Sequence, residues 1–243
     1  MEVYRQLPKR LPRSLGFKRY TMYFDGVDDY VEIPDSDDFH TKEFTVEVAV
    51  LFLDFNPPGG IVTRNPVVVH KNWAGSPSWC IWAENTNNVP GRLHFDFIDS
   101  GGTRRNTVIP DQLKVGRWYV IHGVYDGCKS MIYVNGVKKA ETDQGCNDFT
   151  NTAPLRLNRP TAEYMHGYIA WFRYYTRALG KDEIIHNIIE YHNPVRSGLV
   201  VWLHDRIADS TWYDESGHGN NGAIYGATKN PITTWELRTK IGL

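Results

Sequence analysis

The sequence predicts an all-β protein, an antiparallel jelly-roll β-sandwich with one short helix on its C-terminal side. Three observations predict it. Aromatic residues make up 13% of 243 residues, with 8 Trp and 14 Tyr beside 21 Gly and 13 Pro, the mixture that builds many short strands separated by turns. Beyond Tyr20 apolar and polar residues alternate in short runs, which is the strand period. Only the stretch from Lys181 to Tyr191 changes to the helical period.

Residues 1–19 hold Pro8, Pro12 and Gly16 among basic residues, a composition that favours an extended arm over a helix. Arg5, Lys9, Arg10 and Arg13 are its candidate partner-binding residues. The formal net charge of the whole chain is -1, so the body behind this basic arm is acidic. That balance argues against a nucleic-acid partner and points the arm at an acidic surface.

The globular part is expected over 20–196. Phe44, Val46, Val48 and Val50 fall on one face of a strand and Thr45, Glu47 and Ala49 on the other, so this strand is expected to have one dry and one solvated face. Further strands are expected at 60–71, 78–84, 92–98, 117–125 and 167–175, each bounded by Gly, Pro, Asn or Asp. Between Met131 and Ala140, Asn135-Gly136 predicts a hairpin closed by a two-residue turn with positive φ at both positions. In the segment from Lys181, Ile184, Ile185, Ile188 and Ile189 share one helix face, with Asp182 and Glu183 in the first turn. Residues 197–243 are expected to be a C-terminal extension that packs on the sandwich or reaches a neighbouring subunit.

The three cysteines, Cys80, Cys128 and Cys146, cannot all pair within one chain. Free buried thiols are expected, with a Cys128–Cys146 bridge as the alternative. No run of ~20 apolar residues marks a membrane span, and the N-terminus lacks the apolar core of a secretory signal.

The run Met22-Tyr23-Phe24-Asp25-Gly26-Val27-Asp28-Asp29-Tyr30-Val31-Glu32-Ile33-Pro34, followed by Phe44 to Glu47, resembles the opening of laminin-G-like domains of the concanavalin A-like lectin/glucanase superfamily. The resemblance continues through Val115 to Tyr119, Val124 to Gly127, Ile132 to Gly136, Gly167 to Arg173 and Thr176 to Leu179. It implies the sandwich fold and leaves activity open. Gly198 to Leu203 and Asp214 to Gly222 are similar to the start of a second such repeat.

Calcium sites are common in the resembled family, and Asp25, Asp28 and Asp29 around Gly26 offer the hard oxygen ligands calcium prefers. The alternative is that these aspartates cap turns through their own backbone. The family often carries an acidic pair within the strand that here holds Ala170 and Trp171. Asp214, Ser216 and Asn220 form a second oxygen-rich candidate, for which turn chemistry alone is the favoured alternative. Trp73, Trp79 and Trp82 are candidate ligand-binding residues, because a protruding indole stacks on a sugar ring or anchors a protein. The alternative places all three in the core or at its rim.

Enzymes of this fold that cleave polysaccharides carry paired acids on one strand. Here Glu43 and Glu47 are four apart, which at ~3.3 Å per residue puts them ~13 Å apart. That is too far for retaining or inverting hydrolysis, so both are expected to be solvated. Zinc, serine-triad and phosphate-loop spacings do not occur. The expected function is therefore a non-catalytic structural or binding protein, foremost a virion surface component such as a capsid decoration or fibre-associated module, made in the cytoplasm and oligomeric in its particle. A glycan-binding lectin module outside the cell or at its surface is the alternative, and a polysaccharide-cleaving enzyme the second alternative.

Overall fold

The computed structural model describes residues 18–56, 65–72, 75–86, 89–159 and 163–233. In chain order its strands are β1 (Lys18–Asp25), β2 (Tyr30–Ile33), β3 (Phe44–Asp54), β4 (Val67–Lys71), β5 (Ser78–Ala83), β6 (Arg92–Ile98), β7 (Arg104–Gln112) and β8 (Trp118–Tyr125). They continue with β9 (Lys129–Val134), β10 (Val137–Asp143), β11 (Leu155–Leu157), β12 (His166–Tyr175), β13 (Leu199–Ile207), β14 (Thr211–Asp214), β15 (Gly222–Tyr225) and β16 (Thr228–Thr233). One α-helix, α1 (Lys181–Ile189), lies between β12 and β13.

All pairings are antiparallel, in the order β10-β9-β8-β3-β12-β13-β14-β15-β2-β11-β4-β5-β6-β7, with β1 joined to β12 and β16. The first half forms one layer and the second half folds over it, because apolar residues of both halves share one core. Phe44 and Ile121 of the first layer meet Trp79, Ile81 and Phe95 of the second. Gly123 marks how near the layers come: a Cβ there would lie 2.7 Å from Ile81 Cδ1 and 2.9 Å from Phe95. Any side chain at that position would push the layers apart.

The expected hairpin is present, with φ of 49° at Asn135 and 78° at Gly136. The helix is also where the period places it. Strand β7 escaped the sequence reading because its burial is patchy and it holds Pro110; it is the last strand in the sheet order, and an edge tolerates a missing N–H.

Three expectations are corrected. β3 has two dry faces, since Thr45, Glu47 and Ala49 are as buried as Val46 and Val48. The physical reason is α1: Ile184 and Ile188 pack with Ala49, Trp171 and Trp202 in a second apolar cluster on the outer side of the first layer. Next, Cys128 and Cys146 are joined in a disulfide and Cys80 alone is free. The turn following β10 brings them together, as Gln144 N–H donates to Cys128 O at 2.6 Å. Lastly, residues 199–233 are no appendage. β13, β14 and β15 are the strands through which the two layers join, and β16 flanks β1. The domain boundary expected at 196/197 therefore falls inside one sandwich.

Candidate functional site

The turn joining β1 to β2 brings three carboxylates together. Their sequence spacing around Gly26, with φ of 80°, bends the chain so that oxygens of Asp25, Asp28 and Asp29 all lie within 4.8 Å of one another. Part of this oxygen set organises the turn itself: Asp25 Oδ1 accepts from Val27 N–H at 2.8 Å, and Asp29 Oδ2 accepts from Asp25 N–H at 2.7 Å. The other Asp25 and Asp29 oxygens and both Asp28 oxygens are not spent on those two bonds. Asn158 fixes the turn from below, donating through Nδ2 to Asp29 O while its Oδ1 accepts from Met165 N–H.

Asp29 is only 4% exposed. Burial, reinforced by the neighbouring Asp25 and Asp28 charges, pushes its carboxyl up to about 6 against the backbone hydrogen bond that lowers it. Three acids held this close carry an electrostatic cost that a divalent cation would relieve. Gly226 cradles the Asp29 carboxylate, because a Cβ there would overlap Oδ1. A hard-oxygen donor set beside a backbone cradle fits calcium. Asp25, Asp28 and Asp29 are the residues that would hold it.

Tyrosines flank the turn on both sides. Tyr30 and Tyr225, register partners on β2 and β15, stack with ring centres 4.5 Å apart and planes within 8°. Across the turn Tyr23 packs on Tyr168 and reaches His166 Nε2 at 3.4 Å. Tyr225 is 44% exposed. Sequence reasoning missed this pair because its members are far apart in the chain and only the β2–β15 register unites them.

The other sequence candidates fare differently. Trp73 and the arm residues Arg5, Lys9, Arg10 and Arg13 lie outside the described residues. Trp79 and Trp82 do point to opposite faces, yet both are buried, at 2% and 7% exposed. Trp79 sits in the central core. Trp82 lies flat on His94, with ring centres 3.7 Å apart, and donates its indole N–H to Asp96 Oδ2. Neither offers a ring face to a ligand.

Glu47 is not solvated but 0% exposed, gripping Arg173 Nη1 at 2.5 Å, the indole N–H of Trp171 at 2.7 Å and Asn187 Nδ2 at 2.8 Å, with His122 Nε2 3.4 Å away. Burial would raise its carboxyl, but Arg173, His122 and these hydrogen bonds overcome it and hold the group at about 2. A carboxylate so enclosed braces α1 against the sheet and has no path to substrate.

Asp214 accepts backbone N–H groups of Trp202 and Ser216 on Oδ1 and of Gly219 and Asn220 on Oδ2, plus the Ser216 hydroxyl. Its oxygens are fully spent on turn structure, as turn chemistry predicts. Among the described residues, no helix is long and apolar enough to cross a membrane.

Residues 25–185 match the model of a laminin-G family described as the concanavalin A-like lectin/glucanases superfamily, and the chain belongs to that family. Among solved structures it is similar to a Bacteroides ovatus protein provisionally described as carbohydrate binding, at 19% identity and TM-score 0.68 over 88% of this chain. The chain spans 61% of that protein's length. It is also similar to a heptameric SAP-like pentraxin from Limulus polyphemus, at 12% identity and TM-score 0.54, covering 88% of this chain and 94% of the pentraxin. At these identities the likeness is one of fold. Among curated proteins, none matches the chain.

Proposed function

We propose that this chain is a non-catalytic carbohydrate-binding module whose acidic turn holds calcium. The observation that carries the reading is the juxtaposition of Asp25, Asp28 and Asp29 with the exposed Tyr30–Tyr225 stack. A cation on the turn supplies open coordination positions for sugar hydroxyls, and an adjacent aromatic ring packs against the apolar face of a pyranose at small entropic cost. The carbohydrate-binding description of the B. ovatus neighbour supports the same class. A non-catalytic role agrees with Glu47 being consumed in a buried ion pair with Arg173.

A particle-assembly role, the first expectation from sequence, would use two grips for neighbouring subunits. One is the basic arm, outside the described residues. The other was the C-terminal segment, whose strands β13 to β16 are paired within this chain. The carbohydrate reading is tested on a glycan array in calcium and in chelator: binding in calcium that chelator reduces supports it, and an array blank in both conditions overturns it.

A further inference from the structure

The strands beyond the family match carry a second exposed tyrosine. On β14, Trp212 points into the core at 0% exposed, so Tyr213 points outward, and it is 38% exposed. The β14–β15 register pairs Thr211 with Ala223 and Trp212 with Gly222, and the β15–β2 register pairs Ala223 with Glu32 and Tyr225 with Tyr30. Paired residues of an antiparallel sheet share a face. Tyr213, Thr211, Ala223, Tyr225 and Tyr30 therefore all stand on one outward face.

Their order on that face follows from the same register. Tyr213 lies two residues beyond the Thr211–Ala223 pair in one direction and Tyr225 two residues beyond it in the other, so the tyrosines stand ~13 Å apart along the strands. Between them the floor is Thr211 and Ala223, with Glu32, the register partner of Ala223, beside it. Tyr30 backs Tyr225 on one ring face, and the Arg206 guanidinium lies 5.3 Å from the Tyr213 ring centre. Each ring is thus supported from one side, which lowers the entropy lost when a ligand packs against it.

Resting on the carbohydrate reading above, we infer that this face binds an extended, uncharged polysaccharide, with Tyr225 and Tyr213 as two separate stacking positions and Thr211 and Ala223 as the low floor between. The separation exceeds one sugar ring, so a chain is needed to engage both. Charge selects the neutral class. Arg156 is matched by Glu32 at 2.7 Å, Arg206 lies over the Tyr213 ring, and the three aspartates of the turn border the Tyr225 end. Among the described residues the acidic turn gives the Tyr225 end a negative character, which disfavours an anionic polymer. The face is built largely by β14 and β15, beyond residues 25–185, so the segment outside the family match supplies the chain-length specificity.

The test uses the full chain in calcium. Affinity electrophoresis is run through soluble neutral glucan, mannan and xylan, and calorimetry through the matching oligosaccharides from disaccharide to hexasaccharide. The expected result is affinity that rises with chain length, and a loss of about fivefold to tenfold on the longest ligands for Tyr213→Ala, the scale of one lost aromatic contact. Tyr213→Phe should retain binding on the longest ligands, and Tyr213→Ala should leave the melting temperature unchanged. If sugars bind but neither chain length nor Tyr213→Ala matters, the extended face is overturned while the carbohydrate reading stands. If no sugar binds at any length, both fall.

Discussion

Replacing Glu47 by Gln keeps the side chain's shape and removes its charge. In the structure that leaves Arg173, at 0% exposed, with its Nη1 facing a neutral amide, and deprives His122 and Asn187 of the same partner. Removing one member of a buried pair costs about 3–5 kcal/mol, because the remaining charge stays desolvated. For a domain of this size each kcal/mol lowers Tm by about 2–4 °C, so Glu47→Gln lowers it by on the order of 10 °C. Arg173→Met should cost a similar amount, and the double replacement Glu47→Met/Arg173→Met should cost less than the two single changes summed. The acid limb of the stability curve gives a second readout. Glu47 has its carboxyl depressed in the fold, so its contribution is complete above the ordinary value of 4.5 and is lost as pH falls toward about 2; the Gln variant lacks that part of the acid loss. Urea unfolding followed by circular dichroism measures both. A Glu47→Gln cost below about 1 kcal/mol, or strictly additive single changes, would refute the claim that this carboxylate braces the helix.

Further expectations follow from the same geometry. Asp29 has the opposite sign to Glu47: its carboxyl is raised, so the stability its protonation confers is full below the ordinary 3.8 and lost as pH rises through about 6. In chelator Asp29→Asn should therefore stabilise the protein at pH 7, by on the order of 1 kcal/mol after solvent screening at the turn, and should remove the rise in Tm that calcium gives the wild type. A thermal scan with and without calcium reads both effects. Gly123→Ala should cost about 1–3 kcal/mol in denaturant titration, because the added methyl meets Ile81 and Phe95 across the core. Replacing both Cys128 and Cys146 by Ser, at a sequence separation of 18, should cost about 3 kcal/mol by the chain-entropy estimate; a loss of zero would mean the bridge constrains nothing.

What the sequence reveals and what it hides divides along contact range. The β9–β10 turn is written in two adjacent residues, Asn135 and Gly136, and α1 in the spacing of its isoleucines, so both are readable locally. The face of β3 that carries Glu47 has the same alternation as a solvated face, and residues distant in the chain make it dry: Arg173, His122 and Asn187 around Glu47, and Ile184 and Ile188 of α1 over Ala49. A polar residue paired across a sheet reads as an exposed one until its partners are known. The acidic turn could be found because its three carboxylates fall within five residues, whereas the tyrosines depend on strands 195 residues apart in register, Tyr30 with Tyr225. The tryptophans misled for a related reason: alternation tells which face a side chain takes, and Trp82 takes the outer face, but His94 and Asp96 from the neighbouring strand cover it. The cysteines needed the fold as well, since only the turn after β10 sets Cys146 beside Cys128.

The measurement that bears most directly on the account compares the wild type with a variant carrying Asp25→Asn, Asp28→Asn and Asp29→Asn together, by affinity electrophoresis in neutral polysaccharide gels with calcium. Retardation of the wild type that is lost in the variant and in chelator, with both proteins folded, is the predicted result. Equal mobility of the two proteins in every gel, with and without calcium, would contradict it.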